Sequence, residues 1–360
     1  MPARRIRISG TVQGVGFRPY VYRLAQTHGV RGWVCNTSGS VEILAEGEAS
    51  ALDSFFAALP REAPPLARID SLVAEAADPV GSAAFEIRPS AVQAGAFQPV
   101  APDIALCPDC ERELFDPRDR RYLYPFINCT NCGPRLTIIR DVPYDRSRTS
   151  MEPFAMCPDC RTEYENPADR RFDAQPAACP ACGPRVWLEY GSHTTVGTQR
   201  AAPLRNQTGR DALLSARRLL RAGRILAIRG LGGFHLACDA TSAAAVGELR
   251  RRKRRGAKPF AVMVRDRATA ERACRIDPAE RELLAGREKP IVILRRAETA
   301  GDPPIAAETA PGNGTLGVML PYTPLHHLLL RAGDPVLDAE PAPAALVMTS
   351  GNLSEEPIAI

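Results

Sequence analysis

The sequence predicts an α+β chain of several domains, and three observations predict it. Eight of the eleven cysteines fall between residues 107 and 182. That stretch repeats itself at a fixed offset of fifty residues. The two flanks carry different patterns: β-α-β-β-α-β before it, and alternating strands and helices after it. A length of 360 residues accommodates two to three domains. An apolar fraction of 45% with 24% charged residues excludes wholesale disorder. Forty-six basic against 41 acidic residues give a net charge of +5, too mild for a protein coated in charge for duplex DNA, though a local basic patch stays open. No apolar run reaches about 18 residues, so no transmembrane helix is expected. Met1-Pro-Ala-Arg-Arg-Ile-Arg7 leads into alternating residues instead of a signal-peptide core, so a cytoplasmic location is expected. In that compartment cysteines serve as metal ligands or buried thiols more readily than as disulfides.

In the first unit, Arg5–Val12 alternates apolar and polar residues, as a half-buried strand does. Pro19 suits the first turn of a helix, Tyr20, Val21, Leu24 and Ala25 recur at helical spacing, and His28-Gly29 ends it. Gly32–Cys35 and Val41–Ala45 flank the turn Ser38-Gly39 as a hairpin. Leu52–Leu59 reads as a second helix, and Ile69–Ala74 and Phe85–Ile87 as later strands. This order fits a ferredoxin-like sandwich over residues 1–90. Ala91–Ala105 lacks periodicity and reads as a linker, as does Tyr190–Gly209.

The middle unit, 105–188, is the repeat. Cys107-Pro-Asp-Cys110 returns as Cys157-Pro-Asp-Cys160, and Cys129-Thr-Asn-Cys132-Gly-Pro-Arg135 as Cys179-Pro-Ala-Cys182-Gly-Pro-Arg185. Between the pairs, Pro117-Arg-Asp-Arg-Arg-Tyr122 answers Pro167-Ala-Asp-Arg-Arg-Phe172. In the third unit, 205–360, helices are expected at Asp211–Ala222 and Ala243–Arg252, and strands at Arg224–Arg229, Pro259–Val264 and Ile291–Leu294. That alternation predicts an α/β domain.

Three constellations carry chemistry. The first is the loop Gln13, Gly14, Val15, Gly16, Phe17, followed by Arg18, set between a strand and a helix. Glycines let successive amides turn inward around an anion, and a guanidinium grips two phosphate oxygens at once. Spacing alone leaves two readings open, a phosphate cradle or a tight turn whose arginine faces solvent. Residues 4–88 resemble the acylphosphatase family in this loop and in a strand ending in asparagine, Gly32-Trp-Val-Cys-Asn36. The resemblance implies that Arg18 binds phosphate and Asn36 orients the attacking water. Cys35 alternates to the other face and reads as core packing.

The second constellation is Cys-x2-Cys-x18-Cys-x2-Cys, occurring twice: Cys107, Cys110, Cys129, Cys132, and Cys157, Cys160, Cys179, Cys182. This is the spacing of a four-thiolate zinc site. Four thiolates leave no open coordination position, so two structural Zn2+ sites are expected. An iron–sulfur cluster also takes four cysteines, but tandem knuckles favour zinc. The Asp-Arg-Arg segments read as solvated loop charge or domain contacts in preference to a nucleic-acid surface.

The third is Arg250–Lys258, with seven basic residues in nine, leading into the apolar Pro259-Phe-Ala-Val-Met263. Its expected roles are a solvated helix face or a polyphosphate contact. Met348-Thr-Ser350-Gly-Asn352 adds hydroxyl and amide groups. His326 and His327 read as helix-start residues in preference to ligands. Together these resemble the YrdC-type domain. The resemblance matches its Lys-x-Arg to Lys253 and Arg255 and its Ser-x-Asn to Ser350 and Asn352. It implies ATP binding, with Lys258 nearby and Mg2+ accompanying the nucleotide, and by analogy weak double-stranded RNA binding. Gly230–Asp239 is the matching glycine-rich segment.

The series of acylphosphatase-like, paired zinc and YrdC-like units resembles the HypF family of [NiFe]-hydrogenase maturation carbamoyltransferases. The resemblance implies hydrolysis of carbamoyl phosphate to carbamate, conversion of carbamate by ATP to carbamoyl-adenylate, and transfer to the C-terminal cysteine of the partner HypE. Family members continue past Ile360 into a transfer domain, so the chain is expected to be a fragment, or a natural short form, with an incomplete YrdC-like domain. Asp173 stands where the family usually has histidine, and Gly256 replaces a common proline. Both departures are expected to have local effects. Two other classes compete: a zinc-ribbon RNA-binding protein with a non-catalytic acylphosphatase-like scaffold, and a threonylcarbamoyl-adenylate synthase.

Overall fold

The computed structural model describes residues 1–91, 99–190, 205–297 and 303–352. Of the two predicted linker stretches, residues 92–98 of the first and 191–204 of the second lie outside them. The described chain divides into two compact units, one of residues 1–110 and 127–184, the other of 111–126 and 185–360.

The first unit begins with β1 (Ala3–Thr11), α1 (Phe17–Thr27), β2 (Arg31–Asn36), β3 (Val41–Glu46), α2 (Ala49–Arg61), β4 (Arg68–Ala77) and β5 (Phe85–Ile87). The strand order is β4-β1-β3-β2-β5, so the expected sandwich forms and β5 extends it beside β2 in parallel. Alternation in β1 puts Ile6 and Ile8 opposite Ile43 and Val41 of β3. Against that face α1 lays Phe17, Val21 and Leu24, and α2 lays Leu52, Phe55 and Leu59. Phe55 is fully buried, and truncating it to alanine costs about 3–5 kcal/mol. This packing fixes the β1–α1 turn and the end of β2, which bring the loop and Asn36 together.

The cysteine repeats have short helices, α3 (Pro108–Leu114) and α4 (Pro158–Glu165). Their backbones match at the same offset as their sequences. The Leu123 amide donates to the Leu114 carbonyl at 2.8 Å, and the Asp173 amide to the Tyr164 carbonyl at 2.9 Å. Leu123 and Asp173 both have φ 56°, an uncommon value for residues with side chains.

The second unit contains β6 (Trp187–Tyr190), β7 (Arg205–Thr208), α5 (Gly209–Arg221), β8 (Leu226–Gly230), β9 (Gly233–Asp239), α6 (Ala243–Arg252) and β10 (Ala261–Val264). It continues with α7 (Arg267–Ala273), β11 (Cys274–Arg275), α8 (Pro278–Ala285), β12 (Val292–Arg296), β13 (Thr315–Met319), α9 (Pro324–Leu330) and β14 (Ala345–Ser350). β6 and β7 pair as a two-stranded ribbon, so the ends of the second linker stretch are ordered strand. The main sheet runs β11-β12-β13-β10-β14-β9-β8. It is mixed: β10 and β13 pair in parallel and the other pairings are antiparallel. The glycine-rich segment supplies the reason at one edge, because Leu231-Gly232 is a two-residue turn that folds β9 straight back on β8.

Both sheet faces are covered. Val262 and Val264 of β10 face Val246 and Leu249 of α6, while Met263 between them joins Leu220 of α5 and Leu329 and Leu330 of α9. Residues 111–126 dock near α9: Tyr122 Oη donates to Asp334 Oδ2 at 2.9 Å, and Arg331 stacks over Phe115 at 4.4 Å.

Candidate functional site

Arg18 enters from the first turn of α1, where Phe17 and Arg18 have amides with no intrahelical partner. Gly14 and Gly16 have φ values of 72° and 74°. A Cβ on Gly14 would sit 3.2 Å from Cδ of Arg135, so glycine here serves both the turn and a close approach. Gln13 fixes the loop, donating to the Thr37 carbonyl at 2.7 Å and accepting from the Tyr144 amide at 3.2 Å. Val15 and Phe17 are buried and anchor the loop through side chains.

Arg18 and Asn36 both line one cavity, together with Gln13, Gly14, Arg135 and Asp173. Asn36 is 1% exposed, and its Oδ1 has no hydrogen-bond partner among the described residues. A buried carbonyl oxygen without a donor is costly unless a water or ligand supplies one. Cys35 is buried, and burial pushes its thiol pKa up, in keeping with core packing.

Arg18 does not face solvent. Its Nη1 donates to Asp145 Oδ1 at 3.0 Å and to Ser90 Oγ at 3.2 Å, and its Nε pairs with Asp173 Oδ2 at 3.0 Å. Burial works against the guanidinium charge, but Asp173 and Asp145 outweigh it and raise the Arg18 pKa. Burial raises the Asp173 carboxyl, and the charge of Arg18 offsets this only in part. Asp173, expected to have a local effect, has its carboxylate on the central cation of the cavity. Asp145 and Arg135 were not singled out from sequence. Asp145 lies in no motif. Arg135 had a signal in the repeated Cys-Gly-Pro-Arg, but only the fold shows it cradled by carbonyls. It donates to Gly14 O, and to the carbonyls of Cys132, Thr130 and Cys129 at 2.9, 3.0 and 3.2 Å.

The eight repeat cysteines form two groups of four, with the sulfurs in each within 4.8 Å of one another. Neighbouring Sγ atoms lie 3.7–3.9 Å apart in the first group and 3.6–3.8 Å apart in the second. A tetrahedron with metal–sulfur bonds of about 2.3 Å has edges of about 3.8 Å, whereas a disulfide measures about 2.05 Å. The donor sets fit Zn2+. Of the two expectations for the arginines between the pairs, solvated charge does not hold at Arg121 and Arg171, which are buried. Arg171 Nε donates to the Asn128 carbonyl at 3.1 Å, and Arg170 Nη1 points at Cys110 Sγ at 3.3 Å.

In the second unit Lys253, Ser350 and Asn352 converge. Lys253 caps α6, is 2% exposed, and its Nζ donates to the Ser350 carbonyl at 2.7 Å and Asn352 Oδ1 at 2.8 Å. Ser350 Oγ donates to the same Oδ1 at 2.6 Å. Burial, then the charge of Arg255, lowers the Lys253 pKa. Arg255 turns away, donating to the carbonyls of Lys258 and Pro259 and stacking over Phe260 at 4.9 Å. Lys258 is exposed. Arg250 binds the Glu308 carbonyl, while Arg251 and Arg252 pair with Glu248 on an exposed face. His326 follows the Thr323 cap of α9, and burial pushes it down to about 3, a neutral packed imidazole.

Three family models match in this order. The acylphosphatase model covers residues 4–87, the HypF finger model covers 106–139 and 156–189, and the Sua5–YciO–YrdC model, described as telomere recombination, covers 218–360. The carbamoyltransferase HypF of Rhodobacter capsulatus is 51% identical over 99% of this chain and 44% of its own length. The probable carbamoyltransferase HypF of Methanocaldococcus jannaschii is 42% identical over 98% of this chain and 43% of its own. Full-length HypF solved in a phosphate- and nucleotide-bound form superposes with a TM-score of 0.87 at 43% identity, covering 99% of this chain and 44% of that one. The chain thus spans less than half the length of the relatives it matches. Matched almost end to end in sequence and structure, the chain belongs to the HypF family.

Proposed function

We propose that this chain carries the first two chemical steps of a hydrogenase-maturation carbamoyltransferase, distributed over units 1–90, 105–188 and 205–360. Carbamoyl phosphate binds with its phosphate on Arg18 and the loop Gln13–Phe17. Asn36 Oδ1 accepts a hydrogen bond from a water aimed at phosphorus. Water oxygen bonds to phosphorus, the bond from phosphorus to the carbamoyl oxygen breaks, and carbamate and phosphate result. The substrate is already activated, so positioning and charge stabilisation suffice without a covalent nucleophile.

Carbamate then meets ATP, with Mg2+, at Lys253, Ser350 and Asn352. Carbamate oxygen attacks the α-phosphorus, pyrophosphate leaves, and carbamoyl-adenylate forms. Transfer to the C-terminal cysteine of HypE belongs to the rest of the family's length. Shielding carbamate from water suppresses its decomposition. The zinc sites hold the repeats in shape and take no part in the chemistry. A cytoplasmic location accompanies this role.

The observation that carries the first step is the buried Asn36 Oδ1, unpartnered in the same cavity as Arg18. The competing RNA-binding reading has less support, since Arg250 is held by the Glu308 carbonyl and Arg251 and Arg252 pair with Glu248. The test is phosphate release from carbamoyl phosphate by the zinc-replete chain. R18A and N36A should each lower it at least about a hundredfold, the scale of removing one preorganised contact. Turnover unchanged in both variants would refute the assignment.

A further inference from the structure

Arg18 is outnumbered in its cavity. Two carboxylates, Asp145 and Asp173, contact one guanidinium at 3.0 Å each. The other cation lining the cavity, Arg135, is spent on backbone carbonyls. Asp173 is the more deliberate of the two acids. Its Oδ2 meets Arg18, while its Oδ1 accepts from Tyr164 Oη at 3.1 Å and from Gln175 Nε2 at 2.9 Å. Gln175 Oε1 is in turn held by the Arg146 amide at 2.7 Å. The acid therefore sits on a rigid support within the second cysteine repeat, at φ 56°. The first repeat has the same backbone conformation at Leu123, where no acid is present. The conformation thus does not require an acid, and the charge needs a separate explanation.

We propose that Asp173 is a positioning residue that sets the affinity of the Arg18 site for phosphate. It aims the guanidinium through Nε, and its negative charge opposes the dianion that Arg18 attracts. The site consequently binds its phosphate product loosely and releases it. The inference rests on Arg18 being the phosphate ligand, as proposed above. Asp173 acts through Arg18 and takes no proton or bond in the reaction.

The test is calorimetric binding of inorganic phosphate to the full chain, beside kcat and KM for carbamoyl phosphate. D173N keeps the shape and tolerates a left-handed backbone. D173L reproduces the residue of the first repeat and guards against a folding defect in one variant. Both should bind phosphate about tenfold more tightly, a difference of about 1.4 kcal/mol, and show stronger inhibition by phosphate. KM should fall with kcat, and D173E should return the phosphate affinity toward the parent value. A purely structural role would lower kcat and leave phosphate affinity unchanged or weaker, which overturns the inference. R18A separates the two levels. Phosphate binding that survives R18A, or is absent from parent and variants alike, refutes the Arg18 assignment and the inference with it. Arg18-dependent binding that is equal in parent, D173N and D173L refutes the inference alone.

Discussion

The two cysteine repeats share their ligands, spacing and local backbone, yet equivalent side chains do different work. Arg135 ends Cys-Gly-Pro-Arg in the first repeat, is 2% exposed and is wrapped in carbonyls, whereas Arg185 ends the same motif in the second and is exposed. Leu123 and Asp173 share a φ of 56°, but only the second carries charge into the Arg18 cavity. The difference teaches that the four cysteines fix the knuckle and nothing beyond it. What each knuckle does depends on what packs against it. The copies differ where they meet other parts of the protein, and are alike at their cysteines.

The comparison breaks first at the metal. C110S and C160S should each remove one of two zinc equivalents, and each should unfold the repeat it serves, since structural zinc contributes about 10–16 kcal/mol in isolated fingers. Elemental analysis and circular dichroism check this. If either variant keeps both equivalents, the equivalence of the two sites fails.

The arginines sharpen it next. R135A strips a buried cation from several carbonyls and should lower stability by about 3 kcal/mol. R185A, at an exposed position, should stay within about 0.5 kcal/mol. Urea midpoints for the pair give the answer, and equal losses would mean that the motif itself, and not its surroundings, sets the energetics.

The smallest effect is expected at Arg170, whose Nη1 lies 3.3 Å from Cys110 Sγ. A cation beside a four-thiolate site offsets its negative charge and orients its ligands. R170A should weaken zinc at the first site about tenfold and leave the second unchanged. Chelator competition followed site by site would show it, and equal weakening at both would contradict the assignment.

Much of this architecture was readable from residue order. Strand alternation in β1 and the helical spacing of Tyr20, Val21 and Leu24 depend on local periodicity, and both elements appear where expected. Eight cysteines at a shared offset specify two four-sulfur groups because knuckle geometry is local. Lys253 with Ser350 and Asn352 was legible only through a resemblance, since their 97–99-residue separations leave no local trace. Asp145 could not be found, because its meaning arises only when residue 145 is folded beside residue 18. The same holds for the burial of Arg121 and Arg171, which polarity alone assigns to solvent. The β8–β9 hairpin was not predicted, since Gly230–Asp239 entered only as a glycine-rich segment matched by resemblance, and its glycines make the tight turn between two strands.

The central claim is that Asp173 of the second repeat, and not its counterpart Leu123 of the first, lines the phosphate site proposed around Arg18, beside Thr130 and Arg135 of the first repeat. The most direct test is a titration of the isotopically labelled chain with inorganic phosphate, read by amide chemical shifts. The account predicts shifts at Gly14–Arg18 and at Asp173, Ala174 and Gln175, with none at the equivalent Leu123 and Tyr124. Shifts confined to Gly14–Arg18, with residues 173–175 silent, would contradict it.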